Sequence, residues 1–168
     1  MSDEASRKNT EAQVASLFAR YEPAMARLGK ALRAKLQRRL PGLNEIVYLY
    51  ENQHSLVIAY SPSAGGGGSD AICGMALYPD RAKLFFNHAA QLTKADPQKL
   101  LEGSGKMVRY VALEAAADLD RPEIEALLAA AVKLAKLRLD PRAKGAVVLK
   151  AEEQKQRALR AKQTKARR

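Results

Sequence analysis

The sequence has few of the residues that build disulfides, metal centres and stacking surfaces. It contains one cysteine, two histidines and no tryptophan, and Phe and Tyr together total nine. A single thiol excludes an internal disulfide and a zinc site made of several thiolates, and two isolated histidines leave little for a histidine metal site. Nine aromatic residues predict that stacking surfaces are scarce.

Long apolar runs are also missing from the sequence. No segment approaches the roughly 18 apolar residues of a membrane span, and the polar residues 1–10 contain no secretory segment. We therefore expect a cytoplasmic protein with no membrane partner.

Nucleophiles and their partners are equally sparse. Cys73 lies among apolar residues of a predicted strand, so we expect a small buried side chain. His54 falls at a predicted hairpin tip and His88 at a strand end, where polar residues are common. A Cys–His pair would have to be assembled by the fold, and no spacing argues for one. We predict a non-catalytic protein, with no catalytic residue, no metal ligand and no cofactor.

The positive charge is concentrated near the end of the chain. The 168 residues carry a net charge of +11, of which residues 1–132 contribute +1 and residues 133–168 contribute +10. This distribution predicts a near-neutral domain over residues 1–140, with its core at about 20–138, and a basic tail over residues 141–168. The tail contains good helix formers but no continuous apolar stripe, so we expect it to be disordered or marginally helical.

Helical patterns flank the middle of the domain. Thr10 and Gln13 have the spacing of a capping box at a helix start, and Pro23 interrupts that helix. The next helix has an apolar stripe of Met25, Leu28, Leu32, Leu36 and Leu40. Its opposite side carries a cluster of cations: Arg27, Lys30, Arg33, Lys35, Arg38 and Arg39. A last helix is predicted to open at residues 118–123 and to stop at Asp140.

Five strands are predicted from short runs rich in Val, Ile, Tyr and Phe, at residues 45–51, 55–60, 71–78, 82–87 and 107–113. The glycines Gly65–Gly68 predict a flexible loop before the third strand, and the sequence leaves the role of that loop open. Helices, then consecutive strands, then a helix indicate an α+β fold. We expect an antiparallel sheet of about five strands, packed by N- and C-terminal helices.

Residues 78–132 carry a more specific pattern. An aromatic strand is followed by an Asp-Pro pair, a Leu-Leu-Glu-Gly-x-Gly-Lys segment and an arginine in the next strand, here Asp96, Pro97, Leu100, Leu101, Glu102, Gly103, Gly105, Lys106 and Arg109. Over about residues 20–135 the chain resembles the YdhG-like family, a domain of unknown function. Asn87 and His88 depart from the glycine usual there, and the glycine loop and basic tail lie outside the family pattern. The resemblance implies a YdhG-like α+β fold, and some members are described as frataxin-like iron chaperones.

Iron handling of that kind would require surface carboxylates, which are hard oxygen ligands. The dense acidic cluster of the sequence comprises Asp118, Asp120, Glu123 and Glu125. It lies at a helix start, where carboxylates accept hydrogen bonds from free N–H groups and oppose the helix dipole. This structural role explains the cluster better than metal binding does.

Two basic groups are candidate binding sites. Gly103, Ser104, Gly105, Lys106 and Arg109 would form either a small-anion site or a turn that requires glycine. Six cations of the tail would neutralise nucleic-acid phosphates without sequence specificity, or would only solubilise the chain: Arg157, Arg160, Lys162, Lys165, Arg167 and Arg168. We therefore expect a binding module that attaches weakly to nucleic acid through its tail. An iron chaperone and an anion binder are the alternatives, and the oligomeric state stays open.

Overall fold

The computed structural model describes residues 3–65, 70–150 and 159–165 and confirms the α+β class. Helix α1 covers Asp3–Phe18, α2 covers Pro23–Arg39 and α3 covers Pro122–Leu134. Residues 159–165 are also helical. Short 3-10 helices lie at Glu51–Gln53, Ala89–Ala95 and Ala116–Asp120.

The strands form one mixed sheet in the spatial order β5-β4-β3-β2-β1-β6. Their bounds are Asn44–Tyr50 for β1, Ser55–Ser61 for β2, Cys73–Leu77 for β3, Ala82–Asn87 for β4, Val108–Leu113 for β5 and Val147–Leu149 for β6. The predicted antiparallel order of five strands is confirmed for β1 to β5. The sheet is larger than predicted, because β6 adds to the other edge of β1 and runs parallel to it.

Strand β6 lies inside the segment that the sequence assigned to a disordered or marginally helical tail. Two hydrogen bonds dock it: Glu45 N donates to the carbonyl of Ala146 at 2.8 Å, and Ala146 N donates to Asn44 Oδ1 at 2.9 Å. Gly145 allows the close approach, since a Cβ there would lie 1.9 Å from the carbonyl oxygen of Leu43. The sheet therefore extends past residue 140, where we placed the end of the domain.

The helices follow the predicted patterns, but their ends differ. Thr10 is in the interior of α1 and not at its start, and its hydroxyl donates to the carbonyl of Ser6 at 3.0 Å. The stripe of α2 is confirmed, because Leu32 and Leu36 are completely buried. Helix α3 ends before the predicted Asp140, and Lys136 has a left-handed φ of 58° just past its end.

One face of the sheet, called the inner face here, packs against the helices. Alternate strand residues such as Ile58, Met75 and Leu84 share a buried cluster with Phe18 of α1, Leu32 of α2 and Leu127 of α3. Within the described ranges, no helix is both long and apolar enough to cross a membrane.

Candidate functional site

The opposite face of the sheet, called the open face here, displays aromatic side chains. Because successive strand residues point to opposite faces, the residues between those of the inner face point outward. The aromatic members are Tyr48 and Tyr50 on β1, Tyr78 just after β3, Phe85 on β4 and Tyr110 on β5. Tyr50 is 43 % exposed and the others are half-buried.

Two tyrosines form one end of this face. The rings of Tyr48 and Tyr50 are stacked, with centroids 6.1 Å apart and planes inclined by 17°. Partial burial raises the pKa of Tyr50 above its usual value, so its hydroxyl stays protonated at neutral pH. This end of the open face therefore presents a stacked pair of amphipathic rings, of which Tyr50 is the more exposed.

Cations lie between the tyrosines at the other end of the face. Lys83 Nζ is 3.9 Å from the ring centroid of Tyr110 and 5.2 Å from that of Tyr78. The guanidinium of Arg81 lies 4.8 Å from the Tyr78 centroid. Each distance is within the range of a cation–π interaction. Arg81 also contacts Asp80 at 4.0 Å.

Small side chains separate the two aromatic ends. The intervening residues of β2 and β3 are Val57, Ala59, Gly74 and Ala76. Gly74 is required here, since a Cβ would lie 2.4 Å from the carbonyl oxygen of Ile58 and 2.4 Å from Cζ of Phe85. On this face Ile46 and Ala59 are buried, and Tyr48, Phe85 and Val148 pack against them. The five aromatic side chains therefore share one side of the sheet in a partly packed cluster, and the scarcity of stacking surface stays a prediction.

Sequence reasoning missed this face because it counted aromatic residues without placing them. Of nine Phe and Tyr residues, five share the open face. A period of two would have revealed part of it: Tyr48 and Tyr50 are two residues apart, as are Lys83 and Phe85.

The predicted tail site is described in part. Arg160, Lys162 and Lys165 are exposed on the helical residues 159–165. Arg157, Arg167 and Arg168 lie outside the described residues.

The cation cluster predicted along α2 does not form one solvated face. Arg33 is buried, Lys35 forms an ion pair with Asp120, and Arg39 Nε lies 2.8 Å from Glu125 Oε2. The helix therefore adds less positive surface than its sequence suggests.

The acidic cluster has structural partners throughout. Besides the ion pairs of Asp120 and Glu125, Asp118 Oδ2 accepts hydrogen bonds from the backbone N–H groups of Glu114 and Ala115, and Glu123 pairs with Arg121. The predicted capping role holds for Asp118 at the start of the 3-10 helix Ala116–Asp120, but α3 begins at Pro122 without a side-chain cap. Glu123 and Glu125 lie in the first turn of α3, as predicted, and form ion pairs with arginines. Among the described residues, no group of three or more His, Cys, Asp or Glu side chains could hold a metal ion.

The predicted anion site is an exposed turn before β5. Gly103 has a φ of 103°, a conformation that favours glycine, and Glu102 pairs with Tyr110 through two backbone hydrogen bonds. Arg109 Nε donates to the carbonyl of Gly105 at 2.9 Å, while Ser104 and Lys106 are exposed. These contacts give the glycines and Arg109 a role in the turn itself, and anion binding by Lys106 stays a prediction.

Cys73 is completely buried on the inner face, as expected. Burial raises the pKa of its thiol from 9.0 to about 12. The nucleophilic thiolate is therefore almost absent at neutral pH.

Comparison of the chain with protein-family models, curated proteins and solved structures found no match. The resemblance to the YdhG-like family stays a prediction.

Proposed function

We propose that the protein is a non-catalytic module that binds single-stranded nucleic acid without base specificity, through the open face together with the basic tail. The observation that carries this proposal is the arrangement of Tyr48, Tyr50 and Tyr110 with Lys83 on one side of the sheet. Unpaired bases stack on aromatic rings whatever their identity, and neighbouring cations neutralise the phosphates.

The tail supports the same conclusion by a separate argument. Residues 133–168 carry a charge balance of +10, and Arg160, Lys162 and Lys165 are exposed. Cations that contact phosphates release condensed counterions, so the affinity falls as salt rises. The tail supplies attraction to any nucleic acid, and the rings supply the preference for unpaired bases.

The test is a titration of labelled single-stranded RNA and of a duplex of equal length with the full chain at two salt concentrations. We expect tighter binding of the single strand, and a loss of about tenfold for Tyr50→Ala, since base stacking on one ring is worth roughly 1–3 kcal/mol. Tyr50→Phe is the matched control, because it keeps the ring and should keep the affinity.

A second variant isolates the tail. Replacing Arg160, Lys162 and Lys165 by Gln should flatten the slope of log affinity against log salt by about 0.7 per lost phosphate contact on a single strand. The matched control replaces the exposed Lys8, Lys30 and Lys94 by Gln, which changes the net charge equally. Equal affinity for single strand and duplex, or equal behaviour of Tyr50→Ala and Tyr50→Phe, would contradict the role of the open face.

A further inference from the structure

A cleft on the helical side of the molecule offers a second site, unrelated to the open face. It lies between α1, α2 and the segment 141–147 that leads into β6, and its volume is about 930 Å³. A cleft of this size accommodates a small organic molecule.

The buried carboxylate of Glu45 lies at the inner end of the cleft, and both of its oxygens accept hydrogen bonds from protein side chains. Glu45 accepts from Arg33 Nε at 3.0 Å and Arg33 Nη2 at 2.9 Å. It also accepts from Gln37 Nε2 at 2.9 Å and from the Tyr60 hydroxyl at 2.9 Å. The Glu45 side chain is 4 % exposed, and burial next to it raises the pKa of Tyr60, which therefore stays a neutral donor. Glu45 thus fixes one edge of the Arg33 guanidinium.

The other edge of Arg33 binds a second carboxylate that is far less constrained. Nη1 and Nη2 of Arg33 each donate to one oxygen of Glu11, both at 2.9 Å. The Glu11 side chain is 52 % exposed, whereas that of Arg33 is 11 % exposed. Burial opposes the charge on Arg33, but its hydrogen bonds to Glu11 and Glu45 outweigh that effect and raise the pKa of Arg33, so the guanidinium stays charged.

The two carboxylates differ in how firmly the fold holds them. Glu45 belongs to β1, which is paired with strands on both sides. Glu11 belongs to α1, whose buried residues among those described are Val14 and Phe18. A side-chain rotation of Glu11 would expose the outer edge of Arg33 to the cleft and leave the contacts of Glu45 intact.

Charge around the cleft favours an anion. Arg7, Arg38 and Lys144 line it and are exposed, and together with Arg33 they outnumber Glu11 and Glu45. We propose that Glu11 is an internal stand-in for a ligand, and that the cleft binds a small organic anion whose carboxylate or phosphate displaces Glu11 from Arg33. The forked guanidinium fits two oxygens of either group, and the cations at the rim stabilise further negative charge.

The test of this site is the binding of benzoate and of phenyl phosphate to the full chain. The readout is the NMR shift of the Arg33 Nε–H group. We expect at least one probe to shift that signal, and Glu11→Gln to bind it about two- to fivefold more tightly, because the competing ion pair is half-exposed. The benzoate and phenyl phosphate arms distinguish a carboxylate ligand from a phosphate ligand.

Matched variants keep the test specific. Glu4 lies on the same helix as Glu11 and pairs with Lys8. Glu4→Gln removes the same charge as Glu11→Gln, and it should leave the affinity unchanged. Replacing Arg38 and Lys144 by Gln should weaken binding, whereas replacing the exposed Arg27 and Lys30 of α2 by Gln, which removes an equal charge away from the cleft, should not. The proposal is overturned if neither probe shifts the Arg33 signal at millimolar concentration, or if Glu11→Gln and Glu4→Gln bind equally.

Discussion

The two faces of the sheet use the same strands for different purposes. On β4, Leu84 and Phe86 are completely buried against the helices, whereas Lys83 and Phe85, which alternate with them along the strand, are half-buried on the open face. A half-buried aromatic residue keeps area that can still be removed from water by a partner, which a buried residue does not. The inner face thus holds the larger buried cluster, whereas the open face holds a smaller one and keeps partly exposed aromatic area.

Neighbouring phenylalanines give the sharpest test of this difference. Phe86→Ala should lower the free energy of unfolding by about 3–5 kcal/mol, because it removes a fully buried ring and leaves a cavity. Phe85→Ala should cost clearly less, since its ring already contacts solvent. Urea denaturation of the two variants measures both values, and equal losses would show that the open face is as tightly packed as the inner face.

Alkaline pH should weaken the inner face, beginning with the buried Cys73 thiol. The pKa of Cys73 is about 12 in the folded chain against an ordinary 9.0, so above pH 9 the unfolded chain loses this proton and the folded chain keeps it. The stability that this thiol contributes is thus fully present below pH 9 and should fall by at most about 1.4 kcal/mol per pH unit above it.

Denaturation curves at pH 8 to 10 follow this loss below the ordinary pKa of tyrosine. Cys73→Ala should flatten the dependence over that interval. A thiol reagent should modify native Cys73 only as fast as the chain unfolds, and rapid modification would contradict its burial.

The smallest expected effect concerns the cation on the open face. Lys83→Met keeps the apolar stem but loses the interactions with Tyr78 and Tyr110, which should cost roughly 0.5–1 kcal/mol. Lys94→Met, at an exposed position, is the control and should be neutral within error. Thermal unfolding compares the two, and a neutral Lys83→Met would show that the rings do not hold the lysine.

The fold was predictable where the pattern is local. Strands β1 to β5 are each at least five residues long and rich in apolar and aromatic residues. Their predicted bounds agree with the observed bounds to within about two residues. Strand β6 has only three residues, and its docking depends on Asn44, which is 102 positions away from Ala146. No local sequence pattern predicts such a pairing.

The clefts and surfaces were less predictable for the same reason. Arg33 is one of six cations of α2, so its sequence neighbours predict a solvent-exposed side chain. Its partners Glu45 and Glu11 are 12 and 22 positions away, and only the packing of α1 and β1 against α2 brings them together.

The pairing of β6 with β1 also has a consequence for synthesis on the ribosome. Until residues 147–149 have been made, β1 can pair with β2 but its other edge presents unpaired N–H and C=O groups. An exposed edge of this kind is a template for pairing with another chain. The nascent protein thus passes through a stage in which β1 to β5 are complete but β1 is an edge strand of seven residues. Strand β6 then pairs with Glu45, Ile46 and Val47 and becomes the edge itself, and an edge strand of three residues is a poorer template for another chain.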